Sequence, residues 1–246
     1  MPSLAGKKAF VTGASRGIGA AIARRLAAEG ADVAIGYERS AEAADTLAAE
    51  IRRGGRRAVA VRMSASEPAS VKQAVDRAAF ELGGLDILIN NAGIFRGGPV
   101  EGLTLQEVDE VLAVNVRAVV LASHAALAHL PEGGRIVSIG SNLATRVPDA
   151  GMSLYALSKS ALIGWTQGLA RDLGPRGITV NLVHPGSTDT DMNPADGPQA
   201  AQQAQRMAIK RYGKADDVAA LVAFVAGPQA GSINGAGLTV DGGANA

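Results

Sequence analysis

Thr12-Gly13-Ala14-Ser15-Arg16-Gly17-Ile18-Gly19 joins the first predicted strand of the chain, residues 8–12, to the first predicted helix, which runs from about residue 17 to 29. Glycines allow the backbone to turn tightly and to approach a ligand closely. The first turn of a helix adds free N–H donors and a positive potential. A glycine-rich turn between a first strand and a first helix therefore predicts a binding site for a dinucleotide pyrophosphate. An ordinary strand–helix turn is the alternative.

Short apolar runs alternate with longer amphipathic segments along the rest of the chain. Apolar runs predict strands at 8–12, 32–37, 58–62, 86–89, 135–139, 178–183 and 237–240. Amphipathic segments predict helices at 17–29, 40–53, 68–83, 105–129, 153–173 and 215–226. Apolar strands that alternate with helices predict an α/β fold: a doubly wound, Rossmann-type parallel sheet of about seven strands with helices on both faces.

The domain organisation follows from the absence of any linker, low-complexity segment or internal repeat. We expect one domain that spans residues 1–246. The segment of about Ser187–Arg211 is rich in Asp, Pro, Ala and Gln and has weak periodicity. A long segment of this kind is typically mobile or functional, and we interpret it as a substrate loop.

Composition excludes several classes of partner and site. The 246 residues carry a net charge of +1, with scattered basic residues, so no nucleic-acid partner is expected. The absence of Cys excludes disulfides and thiolate sites and fits a reducing compartment. We expect no signal peptide in Met1–Lys8, no membrane span and a cytoplasmic location. His124, His129 and His184 lack a zinc-ligand pattern; we interpret them as structural and expect no metal.

Tyr155 and Lys159 lie four residues apart in the predicted helix 153–173. On a helix this spacing brings two side chains onto one face, with Cβ atoms roughly 5–6 Å apart. A nearby ammonium favours the phenolate and lowers the pKa of a tyrosine from its reference value of about 10. The pair thus predicts an acid/base group that works near neutral pH, although such pairs also occur on solvated helices.

The spacing Thr-Gly-x-x-x-Gly-x-Gly resembles the signature of the short-chain dehydrogenase/reductase family, and the resemblance covers nearly the whole chain. Further motifs follow in the family's order: Asn90-Asn91-Ala92-Gly93, Asn115, Ser141, Tyr155-x-x-x-Lys159, Pro185-Gly186 and Asp241-Gly242-Gly243. Each motif is weak alone, but their order and intervals together are specific. Within the family, the chain looks most like 3-oxoacyl-acyl-carrier-protein reductases and bacterial ketone reductases.

The resemblance implies hydride transfer between a nicotinamide and a carbonyl or carbinol carbon. Tyr155 would be the acid in reduction and the base in oxidation. Lys159 would lower the pKa of Tyr155 and bind the nicotinamide ribose, and Ser141 would hydrogen-bond the substrate oxygen. Asn115 would hold a water molecule that links Lys159 to solvent. Taken singly, Ser141 could be a turn residue and Asn115 a helix residue bonded to backbone.

The resemblance also implies cofactor contacts along the carboxyl ends of the strands. The implied residues are Gly13, Ser15, Arg16, Gly17, Ile18, Gly19, Tyr37, Arg39, Ser40, Ser64, Asn91, Ala92, Gly93, Tyr155, Lys159, Pro185, Gly186 and Thr188. Ser64 stands where many relatives carry an Asp that contacts adenine, so those contacts are expected to be weaker or rearranged.

The end of the second strand, residues 35–40, bears on the choice between NADP(H) and NAD(H). An acidic residue there would bind the ribose 2′-hydroxyl of NAD. Tyr37 and its predecessor are not acidic, whereas Arg16 and Arg39 stand where NADP-dependent relatives carry a basic residue for the 2′-phosphate. We therefore expect NADP(H) to be preferred, with NAD(H) possible because Glu38 adjoins these positions.

The expected function is NADPH-dependent reduction of a ketone or a 3-oxoacyl carbonyl to a secondary alcohol. The implied pocket walls are 94–96, 142–144, 149–153 and the substrate loop. A carrier-bound acyl thioester would need a basic patch, for which Arg117 and Arg171 are candidates. Alternatives are an NAD(P)-dependent alcohol or sugar dehydrogenase working oxidatively, and a non-catalytic, cofactor-binding regulator. Relatives usually form homotetramers, which we also expect here.

Overall fold

The computed structural model describes residues 3–246, so predictions that concern Met1 and Pro2 lie outside the described residues. Seven parallel strands form one sheet in the order β3-β2-β1-β4-β5-β6-β7. The strands are β1 (Lys8–Val11), β2 (Asp32–Tyr37), β3 (Ala58–Arg62), β4 (Ile87–Asn90), β5 (Arg135–Ile139), β6 (Thr179–Pro185) and β7 (Gly237–Val240). The strand order reverses between β1 and β4, and the carboxyl ends of strands at such a point form a ligand-binding crevice.

Helices cover both faces of this sheet. They are α1 (Gly17–Ala28), α2 (Ala41–Arg53), α3 (Pro68–Leu82), α4 (Leu105–Leu112), α5 (Ala118–Ala126), α6 (Ser153–Leu173), α7 (Ala200–Arg206) and α8 (Ala215–Ala226). One apolar core lies between the sheet and α1, α2 and α8. A second core lies between the opposite face and α3, α5 and α6. The predicted doubly wound, Rossmann-type sheet is confirmed.

The predicted continuous helix over residues 105–129 is wrong in its middle and at its end. A π-helical turn, Ala113–Arg117, separates α4 from α5, and α5 ends at Ala126. Apolar periodicity continues through the turn, so the sequence pattern does not reveal it. Such turns are frequent at functional sites, and this one contains the predicted site residue Asn115.

The segment predicted as a substrate loop contains the short helix α7, which the polar sequence did not indicate. Side chains hold the segment together: Ser187 Oγ donates to Gln203 Oε1 at 2.6 Å, and Asn193 Nδ2 donates to the same oxygen at 3.1 Å. No helix between residues 3 and 246 is long and apolar enough to span a membrane.

Candidate functional site

The glycine turn after β1 lies directly against the loop after β4. Gly13 has a φ of 62°, and a Cβ atom there would lie 2.8 Å from the Cα atom of Ala92. A Cβ atom on Gly19 would lie 2.4 Å from Nδ2 of Asn91. Neither position has room for a side chain, so glycine is required for the turn and the loop to approach each other.

Hydrogen bonds join the same two loops. Thr12 Oγ1 accepts from the backbone N–H groups of Asn91 at 2.9 Å and Ala92 at 3.0 Å. Asn91 Nδ2 in turn donates to the carbonyl oxygens of Thr12 at 3.0 Å and Gly13 at 2.9 Å. The predicted cofactor residues 13–19 and 91–93 therefore form one surface, and the amide of Asn91 braces it from within.

The start of α1 has the properties of an anion site. Its N-cap residue, Arg16, makes no side-chain capping bond, and the first turn contains no acidic residue. The first N–H groups of such a helix suit a phosphate group. Across the crevice, Thr190 lies over this turn, since a Cβ atom on Gly17 would be 3.5 Å from its methyl carbon. These groups fit a pyrophosphate between α1 and the substrate loop.

The two arginines predicted to select the cofactor lie at the same carboxyl edge of the sheet. Arg39 is exposed and follows β2, directly before Ser40, the N-cap residue of α2. Arg16 is also exposed and pairs with Asp191 of the substrate loop at 3.3 Å. This ion pair was not predicted, and a phosphate on Arg16 would compete with it.

The adenine side of the crevice contains Ser64 and Glu38. Ser64 Oγ donates to Glu38 Oε1 at 3.4 Å, and the Ser64 backbone N–H donates to Ser70 Oγ at 2.9 Å. The carboxylate of Glu38 thus points toward the end of β3. It lies beside the residues predicted to contact the adenosine.

At the end of the crevice where the nicotinamide is expected, β6 ends at Pro185 and the chain turns sharply at Gly186. A Cβ atom on Gly186 would lie 2.6 Å from the Cβ atom of Asp241, so the C-terminal segment packs closely against this turn. Thr188 is buried, and its Oγ1 donates to the carbonyl of Gly186 at 3.0 Å. These three predicted residues line one continuous edge of the crevice.

The predicted catalytic side chains converge where β5 ends and α6 begins. Lys159 is 5% exposed, and its Nζ donates to the carbonyl of Ile139 at 2.9 Å. Ser141, two residues later, is also buried. Tyr155 is half-buried; Phe95 packs edge-on against its ring at a centroid distance of 5.1 Å.

The predicted lowering of the Tyr155 pKa by Lys159 is wrong. Burial raises the pKa of Tyr155 to about 12, and a hydrogen bond with the Ser141 hydroxyl opposes only part of this increase. Burial also lowers the pKa of Lys159 to about 8. Desolvation, which disfavours the charged form of each group, is the largest cause of both shifts. At neutral pH the tyrosine is a phenol and the lysine is an ammonium.

Asn115 is fully buried in the π-helical turn, and its side-chain amide makes three hydrogen bonds. Its Oδ1 accepts from the Ile94 backbone N–H at 2.9 Å, and its Nδ2 donates to the Ile94 carbonyl at 2.9 Å and to Ser158 Oγ at 3.0 Å. Ser158 Oγ then donates to the carbonyl of Tyr155 at 2.7 Å. The amide of Asn115 therefore joins the loop after β4 to the helix that carries Tyr155.

Two features near the site were not predicted from the sequence. His184, interpreted as structural, donates from Nδ1 to the carbonyl of Ser141 at 2.8 Å. Arg206 of α7 makes a two-pronged ion pair with Asp149, with one contact of 2.7 Å between Nη2 and Oδ1. In the sequence, His184 is marked only by its position directly before Pro185-Gly186. Asp149 and Arg206 are marked only by their positions in the predicted pocket walls. Among residues 3–246 no group of three or more His, Asp or Glu side chains could hold a metal ion.

Comparisons with known proteins agree with this arrangement. The family model for short chain dehydrogenase matches residues 7–201. A crystal structure of a short chain dehydrogenase from Burkholderia cenocepacia J2315 in complex with NADP is 71% identical, with a TM-score of 0.98 over 99% of this chain and 100% of that chain. A blue fluorescent protein from a metagenomic library, solved with NADPH, is 53% identical, with a TM-score of 0.98 over 99% and 100% of the two chains.

A curated relative from Escherichia coli K12 is named for ligand binding and not for an oxidoreductase activity. It is called a cyclic-di-GMP-binding biofilm dispersal mediator protein and is 46% identical over 242 residues, 98% of each chain. The match of the family model over most of the chain, together with these full-length similarities, settles the family. The chain belongs to the short chain dehydrogenase family.

Proposed function

We propose that the protein is an NADPH-dependent oxidoreductase that reduces a ketone or 3-oxoacyl carbonyl to a secondary alcohol. The observation that carries this proposal is the convergence of the Tyr155 hydroxyl, the buried Ser141 and the buried Lys159 ammonium where β5 ends and α6 begins. A phenol with a pKa of about 12 holds its proton at neutral pH, as an acid in a reduction must. Oxidation of an alcohol would require the phenolate and hence a more alkaline medium.

Each side chain has a distinct task in this proposal. When bound, NADPH supplies the hydride. Tyr155 gives its proton to the substrate oxygen, so that hydride and proton together convert the carbonyl to an alcohol. Ser141 donates a hydrogen bond to the same oxygen as negative charge develops there. The Lys159 ammonium stabilises the phenolate left on Tyr155 and holds the nicotinamide ribose.

Asn115 has a positioning task in this proposal. Because its amide is occupied by Ile94 and Ser158, it fixes the loop beside the nicotinamide and the first turns of α6. Asn115 Oδ1 keeps a second acceptor lone pair, so the proposed water molecule that returns protons to Lys159 can bind there. An Asn115→Ala variant should therefore lose order in the loop at Ile94 as well as activity.

The preference for NADP(H) over NAD(H) is supported by the exposed positions of Arg39 and Arg16 at the carboxyl edge of the sheet. Guanidinium groups bind phosphates with paired hydrogen bonds. The relatives from Burkholderia cenocepacia and the metagenomic library, which were solved with NADP and NADPH, support the same choice. The carboxylate of Glu38 accepts a hydrogen bond from Ser64. It would repel a 2′-phosphate only if it moved toward Arg39.

The substrate class follows from the walls around Tyr155. Phe95 packs on the Tyr155 ring, Leu143 lies two residues beyond Ser141, and Met192 is exposed on the substrate loop. Apolar walls of this kind favour an uncharged ketone with an apolar substituent. The guanidinium of Arg206 is already engaged by the carboxylate of Asp149, so it is not poised for an anionic substrate. An acyl thioester remains the second substrate class.

We also propose a cytoplasmic homotetramer built from a single domain. Large apolar side chains on the outer helices are exposed: Leu105 is 76% exposed, Leu157 55% and Phe224 49%. Burying them between subunits would remove apolar surface from water. The absence of Cys suits a reducing compartment. Light scattering in solution tests this assembly, and a monomer would contradict it.

A second candidate is a cyclic-dinucleotide-binding regulator, which the name of the Escherichia coli relative favours. The arginines and the α1 N-terminus that suit a pyrophosphate would also suit two phosphodiester groups. The two functions differ in what they require of Tyr155 and Lys159, which a binding protein does not need. Calorimetric titration with cyclic di-GMP, with and without saturating NADPH, tests whether the two ligands share the crevice.

The proposed function is tested with a panel of ketones and alcohols and all four nicotinamide cofactors. We expect the fastest turnover with NADPH and a ketone at neutral pH. Faster turnover with NAD⁺ and an alcohol would favour the oxidative alternative. Binding of NADPH without turnover of any compound would favour a regulator.

A further inference from the structure

We propose that His184 is a positioning residue that aims the Ser141 hydroxyl at the substrate oxygen by holding the Ser141 backbone carbonyl. The proposal rests on the proposed role of Ser141. It gives a reaction-linked task to a histidine whose ring is hydrogen-bonded to a backbone carbonyl next to the reacting groups.

The His184 ring is built into the protein between two glycines. It is 4% exposed. A Cβ atom on Gly140 would lie 2.8 Å from Nδ1, and one on Gly237 would lie 3.0 Å from Nε2. The ring can occupy this place only because neither neighbour has a side chain. Its orientation toward Ser141 is therefore set by packing on both sides.

The hydrogen bond defines the chemical state of the ring. A carbonyl oxygen can only accept, so Nδ1 must carry the proton in the 2.8 Å bond to Ser141. Burial lowers the pKa of His184, the Ser141 bond partly opposes this, and the charge of Lys159 lowers it further. The ring is consequently a neutral donor, protonated at Nδ1, over the neutral pH range.

Ser141 lies beyond the last backbone pairing between β5 and β6. The last paired residues of β5 and β6 are Ile139 and Val183, and the Gly140 N–H donates to the Val183 carbonyl at 2.7 Å. Beyond that point His184 supplies a side-chain partner in place of a strand partner. The Ser141 carbonyl also accepts from the Ala144 N–H at 3.0 Å, within the short turn that follows.

Lys159 and His184 thus hold alternate carbonyls of one short stretch. Lys159 Nζ donates to the Ile139 carbonyl at 2.9 Å, and His184 Nδ1 donates to the Ser141 carbonyl at 2.8 Å. Loss of the second bond would let the Ser141 backbone rotate and move its hydroxyl. Small displacements of a reacting group are costly, because catalysis depends on alignment.

The test compares one substitution that removes the hydrogen-bond donor with one that keeps it, in the NADPH-driven reduction of a ketone substrate. His184→Phe keeps a ring but removes the donor, and we expect kcat to fall roughly 10- to 100-fold, as for a misplaced reacting group. His184→Asn retains an N–H group near the position of Nδ1 and should recover most of that loss. NADPH affinity, measured by fluorescence, should stay unchanged in both. His124→Phe, on an exposed face of α5, is the matched control and should retain wild-type kcat.

A double-mutant cycle with Ser141→Ala separates this inference from the proposed function. If Ser141→Ala retains wild-type activity, the proposed role of Ser141 is wrong. If that variant is impaired and His184→Phe impairs it again by the same factor, His184 does not act through Ser141. Equal losses in the Phe and Asn variants would also overturn the proposal.

A second test, ¹⁵N NMR of the His184 ring in the wild-type protein, does not depend on the folding of a variant. We expect the Nδ1–H tautomer, and an Nε2–H tautomer would overturn the proposal.

Discussion

The ammonium nitrogen of Lys159 lies 5.8 Å from the centre of the Tyr155 ring and donates its hydrogen bond to the Ile139 carbonyl at 2.9 Å. The two side chains share one face of α6, yet Lys159 is anchored to the sheet. Both groups are desolvated, so the pKa of Tyr155 rises to about 12 and that of Lys159 falls to about 8.

NADPH affinity should depend on pH through Lys159. Its pKa is lowered from 10.5 to about 8, so the ammonium is present below pH 8 and is lost as the pH rises through that value. A neutral amine binds the ribose less strongly than an ammonium, by about 1 kcal/mol. The NADPH Kd, measured by fluorescence titration, should be constant below pH 8 and rise above it. Lys159→Met should bind more weakly without this rise, and a wild-type Kd that stays constant to pH 10 would contradict the assignment.

Replacing Lys159 by Met should stabilise the protein at pH 7 in the absence of NADPH, while removing activity. Burying the ammonium lowers its pKa by about 2.5 units, which corresponds to ~3 kcal/mol of unfavourable free energy. Loss of the bond to the Ile139 carbonyl offsets ~1 kcal/mol, leaving a net gain of ~2 kcal/mol in the free energy of unfolding.

The sign of this effect can be checked with pH. The folded protein releases the Lys159 proton near pH 8 and the unfolded chain near 10.5, so the cost is complete below pH 8 and disappears as the pH approaches 10.5. Urea unfolding at pH 7 and pH 10 should therefore show a gain for the Met variant that shrinks at the higher pH. An equal gain at both values would mean that hydrophobic packing, and not the buried charge, is responsible.

Arg39→Asp should move the cofactor preference toward NADH. The substitution removes a charged hydrogen bond to the 2′-phosphate, worth about 1.5–3 kcal/mol, and places a carboxylate near the ribose. Steady-state kinetics should show kcat/KM for NADPH falling by roughly 10- to 100-fold, with that for NADH unchanged or higher. Arg53→Asp, which makes the same charge change at the far end of α2, is the control. Unchanged NADPH kinetics in the Arg39 variant would refute the assignment.

Asp191→Asn should tighten NADPH binding. Asp191 pairs with Arg16 at 3.3 Å and therefore competes with a phosphate for the same guanidinium. Exposed ion pairs contribute up to about 1 kcal/mol, so the NADPH Kd should fall by up to about fivefold at low salt and by less at high salt. NADH, which lacks the 2′-phosphate, should bind as before. Equal gains for NADPH and NADH would place the effect elsewhere in the crevice.

Local patterns predicted the sheet, the order of the elements and the meeting of the candidate residues Ser141, Tyr155 and Lys159. Strand β2 and helix α6 coincide with the predicted ranges because apolar runs and breakers such as Gly174 define them locally. The π-helical turn around Asn115 could not be predicted, because it arises from tertiary hydrogen bonds to Ile94 and Ser158.

The electrostatics of the site were less predictable than its geometry. Helical spacing correctly indicated that Tyr155 and Lys159 share a face, but their pKa values depend on burial by Phe95 and the end of β5. Likewise, His184 carries no motif of its own. Its role depends on the fit of its ring beside Gly140, which only the folded chain reveals.

The proton transfer from Tyr155 is tested most directly by Tyr155→Phe, assayed for NADPH-driven reduction of the best ketone in the panel at pH 7. Phe retains the ring against Phe95 but has no proton to donate. We predict that kcat falls by roughly 10²- to 10⁴-fold, the range expected for loss of a general acid, while the NADPH Kd measured by fluorescence is unchanged. Wild-type kcat in the Phe variant would contradict the account.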